Sequence, residues 1–282
     1  MKLNNKVVAG FLALLFVLSV SGCKFLKARD ELNKGIRSIK DAKYESAIEH
    51  FKQSIELDPN NDNAYLYLAF AYASQFVPGG ASEENNKIGM DAIKAYDVVL
   101  QRTPTNSNAA KGIAGIYFNM KEFEKSKEYH KKVSELEPTN PEPFYSMGNI
   151  NWWLLFIHKD YPPEQKTALI NEGMEALKKS TKLNPSFADA FFYINLMHRQ
   201  QAQVLLDDFV LKNPKMKDKF PSPMDASSPI VEPYAKKLLP PDSYKQYKEY
   251  LDMAEQNWQK AMQLRKENEA KAESKGVVDT AK

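Results

Sequence analysis

A chain of 282 residues with 39 Lys and Arg against 36 Asp and Glu carries a formal charge of only +3, and no basic block is interleaved with aromatics. That balance excludes a single-stranded nucleic-acid binder, which needs a cationic track with stacking rings. One cysteine excludes a disulfide scaffold, and 11 glycines without alternating β-branched runs exclude a sheet-rich fold.

The first element stands apart from the rest. Lys2 and Lys6 make a basic start, Val7 to Val20 form an apolar run, and Val20-Ser21-Gly22-Cys23 follows. The run is short of the roughly 20 residues that a spanning helix needs, and it suits a secretory leader better. Small residues directly before Cys23 resemble the lipobox of bacterial lipoproteins. That resemblance implies a signal peptide over 1–22, cut before Cys23, with the thiol alkylated by a diacylglyceryl group and the new amine acylated. Two or three acyl chains hold a protein stably where one is marginal. Lys24 follows, and no acidic residue does, which by likeness to enterobacterial sorting implies the outer membrane, facing the periplasm, over the inner membrane. An ordinary secreted chain with a chance cysteine and an uncleaved anchor remain the alternatives.

Four prolines then phase the chain: Pro59, Pro104, Pro138 and Pro185. Each follows a small residue, a residue four later, and eight more positions. The instances are Ala47/Phe51/Pro59, Ala92/Tyr96/Pro104, Ser126/His130/Pro138 and Gly173/Leu177/Pro185. Successive prolines lie 45, 34 and 47 residues apart, a period of 34 with insertions of 11, none and 13. The other half of each unit agrees. Tyr65, Leu68, Ala69 and Tyr72 set the pattern of bulky residues with one small one, and Ala110, Ile113, Ala114 and Tyr117 repeat it. Phe144, Met147, Gly148 and Asn151 follow, while the first unit keeps the small Gly35 but has Glu31 and Lys34 at bulky positions. Each proline ends a helix, because it lacks an N–H and biases the residue before it away from helix.

With this spacing the chain resembles the tetratricopeptide repeat family, whose period is 34 residues. The resemblance implies an all-α, right-handed α-solenoid of helix-turn-helix repeats over 23–200, in units of about 28–61, 62–106, 107–140 and 141–187. Residues 188–200 read as the first helix of a fifth unit, through Phe191, Ile194, Asn195 and His198. A helix extension and Pro-rich loop fill 201–241, where seven prolines between Asn213 and Pro241 predict an extended segment. A C-terminal helix over 242–272 carries Ala254, Trp258 and Ala261 at second-helix spacing, so it either completes the fifth unit or caps the array. Residues 273–282 read as a disordered tail, with fraying from about Lys266.

Catalytic constellations are absent from the sequence. His50, His130, His158 and His198 show no ligand spacing, and no phosphate loop or nucleophile elbow occurs. The expectation is a non-enzyme without cofactor or metal. His130 and His198 sit at packing positions of the repeat.

In the family, the first helix of each unit lines a concave groove. The resemblance therefore implies a partner-binding surface of Leu66, Tyr67 and Phe70, then Lys111 and Phe118. Tyr145, Asn149, Trp152 and Trp153 continue it, followed by Phe192, Tyr193, Leu196 and Arg199. The Lys/Asn/Arg array with which chaperone-binding members clamp a terminal carboxylate is missing. The aromatics read either as a recognition strip for a partner's extended or helical segment, or as rings buried by the protein itself, for instance under the 213–241 segment. The insertions at Phe76–Asn86 and His158–Ile170 offer a second partner surface. The functional expectation is a membrane-anchored scaffold or adaptor that gathers bacterial envelope proteins. The alternative is a binding protein for a small molecule, lipid or glycan in the same groove. Nucleic acid is not an expected partner.

Overall fold

The structure, a computed structural model, describes residues 24–222 and 224–279, with side chains up to residue 274. The leader and the lipidation residue Cys23 lie outside the described residues. Helix α1 (24–40) pairs with α2 (Tyr44–Leu57), and α3 (Asp62–Gln75) with α4 (Glu83–Arg102). Next come α5 (Ser107–Asn119) and α6 (Phe123–Leu136), then α7 (Pro141–Ile157) and α8 (Pro163–Leu183). A long α9 (Ala188–Lys212) leads through a 3-10 turn (Pro214–Lys219) and a short α10 (Glu232–Leu238) to α11 (Pro241–Asp279). No strand occurs among the described residues. The all-α fold of helical hairpins is the one that the spacing predicts. Two compact units divide inside α6, the first ending at Tyr129 and the second starting at His130.

The same turn joins successive hairpins. The residue before the closing proline caps a helix, with Asp58 N–H donating to Ser54 O, Thr103 to Val99, Glu137 to Val133 and Asn184 to Ser180. Three residues on, the chain turns back: Asn61 N–H donates to Asp58 O at 3.2 Å, Asn106 to Thr103 at 2.9 Å and Asn140 to Glu137 at 3.0 Å. Those asparagines then start the next helix. Asn61 accepts from Ala64 N–H, Asn106 from Ala109 N–H and Asn140 from Glu142 N–H, satisfying one otherwise orphaned donor each. At the fourth boundary Phe187 takes the cap position and makes no side-chain cap.

Within a hairpin the two helices meet where the repeat has its small residue. A Cβ built on Gly35 would overlap the ring of Phe51, which is wholly buried, and one built on Gly148 would overlap Leu177. Glu31 and Lys34, at positions where the pattern asks for bulky apolar residues, bond each other instead. Lys34 Nζ lies 2.9 Å from Glu31 Oε1, and His50 Nδ1 lies 2.7 Å from Glu31 Oε2. Glu31 is buried, and these bonds, the Lys34 one foremost, hold its carboxyl below the ordinary value of 4.5.

The 76–86 insertion is an ordered loop. The buried Asn85 amide accepts from Val77 N–H at 2.7 Å and donates to Val77 O and Gly80 O, both at 2.9 Å, so one side chain satisfies three backbone groups.

In the second unit, Gly173 admits Met197 between α8 and α9, and Ile170, Met174, Leu177 and Ile194 form the core around them. Helix α11 runs along α9: Arg265 pairs with Asp189 at 2.8 Å, Trp258 lies 5.8 Å from Phe192, and Ala254 and Ala261 are buried. The 213–241 segment differs from the extended loop that its prolines predict. Phe220, Ala226, Val231, Ala235 and Leu239 are all buried, and together with Leu206 and Tyr247 they form a second core. Val231, Ala235 and Leu239 recur every four residues along the short α10, but Phe220 and Ala226 fall outside that period, and Pro229, Pro233 and Pro240 interrupt the stretch, so the periodic signal is too short to stand out. Beyond Lys266, where fraying is expected, α11 stays helical although every side chain from 266 to 274 is exposed. Ala, Glu and Lys are strong helix formers, and local propensity carries the turns that packing does not.

Replacing Gly35 by Val should therefore force the Phe51 ring away and cost about 1–3 kcal/mol, the usual range for overpacking a filled core. Urea denaturation followed by circular dichroism measures this, with Gly115→Val, where a Cβ meets nothing within 4 Å, as the comparison.

Candidate functional site

In the first unit the predicted groove residues lie on α3 and α5. Tyr67 is 39% exposed although it stacks on Phe51 at 5.7 Å, and Phe70 is 48% exposed. Leu66, Lys111 and Phe118 are half-buried, and the Phe118 ring meets Phe123 edge-on at 5.5 Å. The face is mostly apolar and partly open, with Phe70 its most exposed ring.

In the second unit the predicted residues come together as one run of rings across α7 and α9. Tyr145 lies 4.8 Å from Phe187 and 5.7 Å from Tyr193. Tyr193 meets Trp152 at 5.7 Å, and Trp152 stacks on Phe156 at 5.3 Å with Trp153 edge-on at 5.2 Å. Phe192 turns toward α11, where the Arg265 guanidinium lies over its ring at 5.2 Å. Asn149 is buried and hydrogen-bonds the Tyr193 phenol. Arg199 donates Nε–H to Asn195 Oδ1 at 2.9 Å, which fixes the guanidinium beside Leu196 on the open side of α9.

The strip is thus partly structural and partly free. Burial pushes the Tyr145 phenol well above its ordinary value, and Tyr193 shifts the same way for the same reason. Phe156 and Ile157, at the end of α7, are 48% and 46% exposed. Phe156 escapes the family-derived groove positions, although it lies four residues after Trp152 and so on the same helix face. The Pro-rich segment also reaches this end of the groove. Ala226 N–H donates to Gln203 Oε1 at 2.8 Å, and the buried Tyr247 hydroxyl donates to Ala226 O at 2.6 Å. Met224, Asp225 and Ser227 thereby form a wall opposite Trp152 and Phe156. No sequence signal places that wall, because it depends on two single hydrogen bonds from distant elements.

The histidines take packing roles. His198 is buried, with Nδ1 2.7 Å from Gln201 Oε1, and burial lowers its pKa. His130 has no partner at Nδ1, and burial pulls its imidazole from 6.5 down to about 4. Among the described residues no three His, Cys, Asp or Glu side chains gather into a metal-sized group, and no helix is long and apolar enough to cross a membrane.

Comparison with known proteins agrees with this architecture. A TPR repeat model matches residues 43–75, and a Tetratricopeptide repeat model matches residues 112–140. The chain is 32% identical over 115 residues to Hsp70-Hsp90 organizing protein 3 of Arabidopsis thaliana, covering 41% of this chain and 19% of that one. It is 26% identical over 132 residues to the TPR repeat-containing protein MJ1428 of Methanocaldococcus jannaschii, covering 39% and 23%. The chain thus spans less than a quarter of the length of these curated relatives. Among solved structures, MamA 41-end from Desulfovibrio magneticus RS-1 superposes with a TM-score of 0.53 at 14% identity, over 86% of this chain and 96% of that one. A MamA RS-1 double mutant gives 0.54 at 14% identity, over 86% and 97%. The fold is that of an α-solenoid built from helix-turn-helix repeats. The chain contains tetratricopeptide repeats, matched at residues 43–75 and 112–140.

Two measurements separate the packed rings from the free ones. Tyr145→Ala should cost about 2–3 kcal/mol, somewhat less than a fully buried ring, whereas Phe156→Ala should stay within about 1 kcal/mol. Both are read from chemical denaturation at neutral pH. The second concerns pH. Unfolding restores the ordinary proton affinity of His130, so between about 6.5 and 4 the unfolded chain binds more protons and stability falls as pH is lowered. His130→Phe should flatten that part of the stability profile while leaving the profile above pH 7 parallel to the original.

Proposed function

We propose that this protein is an adaptor of the bacterial cell envelope, held to the membrane by lipid on Cys23, which binds a segment of a partner protein along α7 and α9. The observation that carries the binding half is the partly open aromatic run of the second unit. Its inner rings are fixed by mutual packing, and its outer end leaves Phe156 exposed beside the half-buried Leu196 and Arg199. Rigid aromatics on a helical scaffold lose little entropy when they bind, and Trp, Tyr and Arg are the usual anchors of protein interfaces.

The repeat family and the chaperone-organizing relatives support protein partners as a class. A terminal carboxylate fits poorly, since the groove of the first unit offers Leu66, Tyr67 and Phe70 and not a cluster of cations. The membrane half rests on the leader pattern, the small residues before Cys23 and the thiol's being the chain's single cysteine. Lys24 in place of an acidic residue favours the outer membrane, facing the periplasm.

In the native host, Cys23→Ser should abolish incorporation of a labelled fatty acid and release the protein from the membrane fraction or leave its leader uncut. With the photocrosslinker p-benzoylphenylalanine at position 156, a discrete envelope protein should be trapped in proportion to its abundance, and none from position 263 on the exposed side of α11. Equal labelling of Cys23→Ser would remove the anchor, and equal trapping at both positions would remove the groove.

A further inference from the structure

The closed end of the aromatic run has a shape and a residual charge of its own. Between the end of α7, the middle of α9, the start of α8 and the 224–227 strap lies a cavity of about 610 Å³. That volume falls within the range of small-ligand and peptide-anchor pockets. Trp152, Leu155, Leu196 and Met224 supply apolar lining, and Gln200 and Gln203 place amides on the α9 wall.

The charges lining it are unevenly satisfied. Asp207 accepts from Lys166 Nζ at 3.0 Å and from Gln203 Nε2 at 2.8 Å, and Lys166 is only 12% exposed. Asp225 accepts from Ser227 N–H at 2.9 Å and from Ser227 Oγ–H at 2.7 Å. Both lining carboxylates are therefore already bonded. The cations Arg199 and Lys159 are not ion-paired among the described residues. Arg199 spends only its Nε–H on Asn195, and Lys159 lies 5.5 Å over the Phe156 ring. Lys166 offsets Asp207, whereas Asp225, bonded only to neutral groups of Ser227, keeps its charge on the strap; against it the lining sets both Arg199 and Lys159, which leaves a net positive charge beside an apolar wall.

The rings also bear on the ligand class. Phe156 has Trp152 stacked against it and Lys159 over its ring, so part of the surface on which a sugar could lie is taken up within the protein. Gln203 spends its amide on Ala226 and Asp207, but the Gln200 amide on the same wall suits the backbone of an extended chain, which needs both donors and acceptors.

We propose that this pocket anchors an extended peptide segment in which an acidic side chain sits beside a bulky apolar one. The carboxylate pairs with the outer amines of Arg199, bidentate geometry being open to them, and the apolar side chain enters between Trp152, Leu196 and Met224. Recognition is of the acidic-apolar pair itself and needs no free chain terminus, since the lining offers Arg199 to a side-chain carboxylate and an apolar wall to its neighbour. This inference rests on the groove reading and names its ligand chemistry.

The test uses purified full chain and two probes blocked at both ends, acetyl-Gly-Ser-Glu-Phe-Glu-Ser-Gly-amide and its counterpart with Lys at both Glu positions. Binding is read by isothermal titration and by tryptophan fluorescence. The acidic peptide should bind at least tenfold more tightly than the basic one, and more weakly as salt rises. Arg199→Glu should remove that preference or reverse it, while Arg199→Lys keeps part of it, with unchanged circular dichroism in both variants. Equal affinity for the two probes, no binding of either, or saturable binding of chitotriose or anionic phospholipid vesicles in the same Arg199-dependent manner would overturn the proposal. Trapping of a partner from position 156 would stand or fall independently of that result.

Discussion

The close approach of paired helices at a small residue is the constraint on which the rest depends. Phe51 can be fully buried only because Gly35 presents no side chain, and Leu177 fills the space that Gly148 leaves. Core rings and branched aliphatics at these points sit at interior packing density, where even a methylene is felt. Because the second helix of each hairpin is drawn inward there, the first helix is left with one face unburied by its own partner. A binding surface in this architecture is a by-product of how the hairpin packs. What the sequence decides is how that face is finished.

Here it is finished differently along the chain. In the first unit Tyr67 leans on Phe51 while Phe70 remains largely in solvent. In the second unit the exposed face of α7 and α9 is rich enough in rings to pack against itself from Phe187 to Phe156. Self-packing and recognition are thus not rival fates of the aromatics but successive ones. Tyr145 and Tyr193 are spent on rigidity, and the residues beyond them inherit a fixed position without having to be buried. A rigid platform loses less freedom on binding than a loose one of the same area.

Much of this was legible in the residues. The phased prolines locate every hairpin boundary from Pro59 to Pro185, and the small residues locate the contacts of Gly35 and Gly148, because both follow from local backbone and steric rules. The groove positions of α7 and α9 follow once the period is known. Less was legible where structure depends on single long-range bonds. Glu31 and Lys34 look like lapses in the pattern, yet with His50 they form a polar group around the buried Glu31 carboxylate that takes the place of apolar packing. Phe220, Val231 and Leu239 look like scattered loop residues among prolines, yet they share a core with Tyr247, 16 residues beyond Val231 in sequence.

The strap shows why that second kind of information matters for function. Helix α9 runs about three and a half turns past its last groove position, Arg199, to Lys212, and α11 returns along it. An uninterrupted repeat would leave this end of the groove open. The 213–241 segment fills it, and its placement is set by buried apolar side chains, with Gln203 and Tyr247 fixing Ala226 in register. A hydrogen-bonded strap over a packed core is a stable wall, since leaving either the Gln203 or the Ala226 group unpaired in the interior would cost about 1–3 kcal/mol. The insertion therefore converts one end of an open face into a pocket with its own lining. Asp207 is paired with Lys166 and Asp225 is held by Ser227, so the one carboxylate the strap leaves charged faces two cations without ion pairs, Lys159 after the end of α7 and Arg199 on α9, and the balance of the lining is positive.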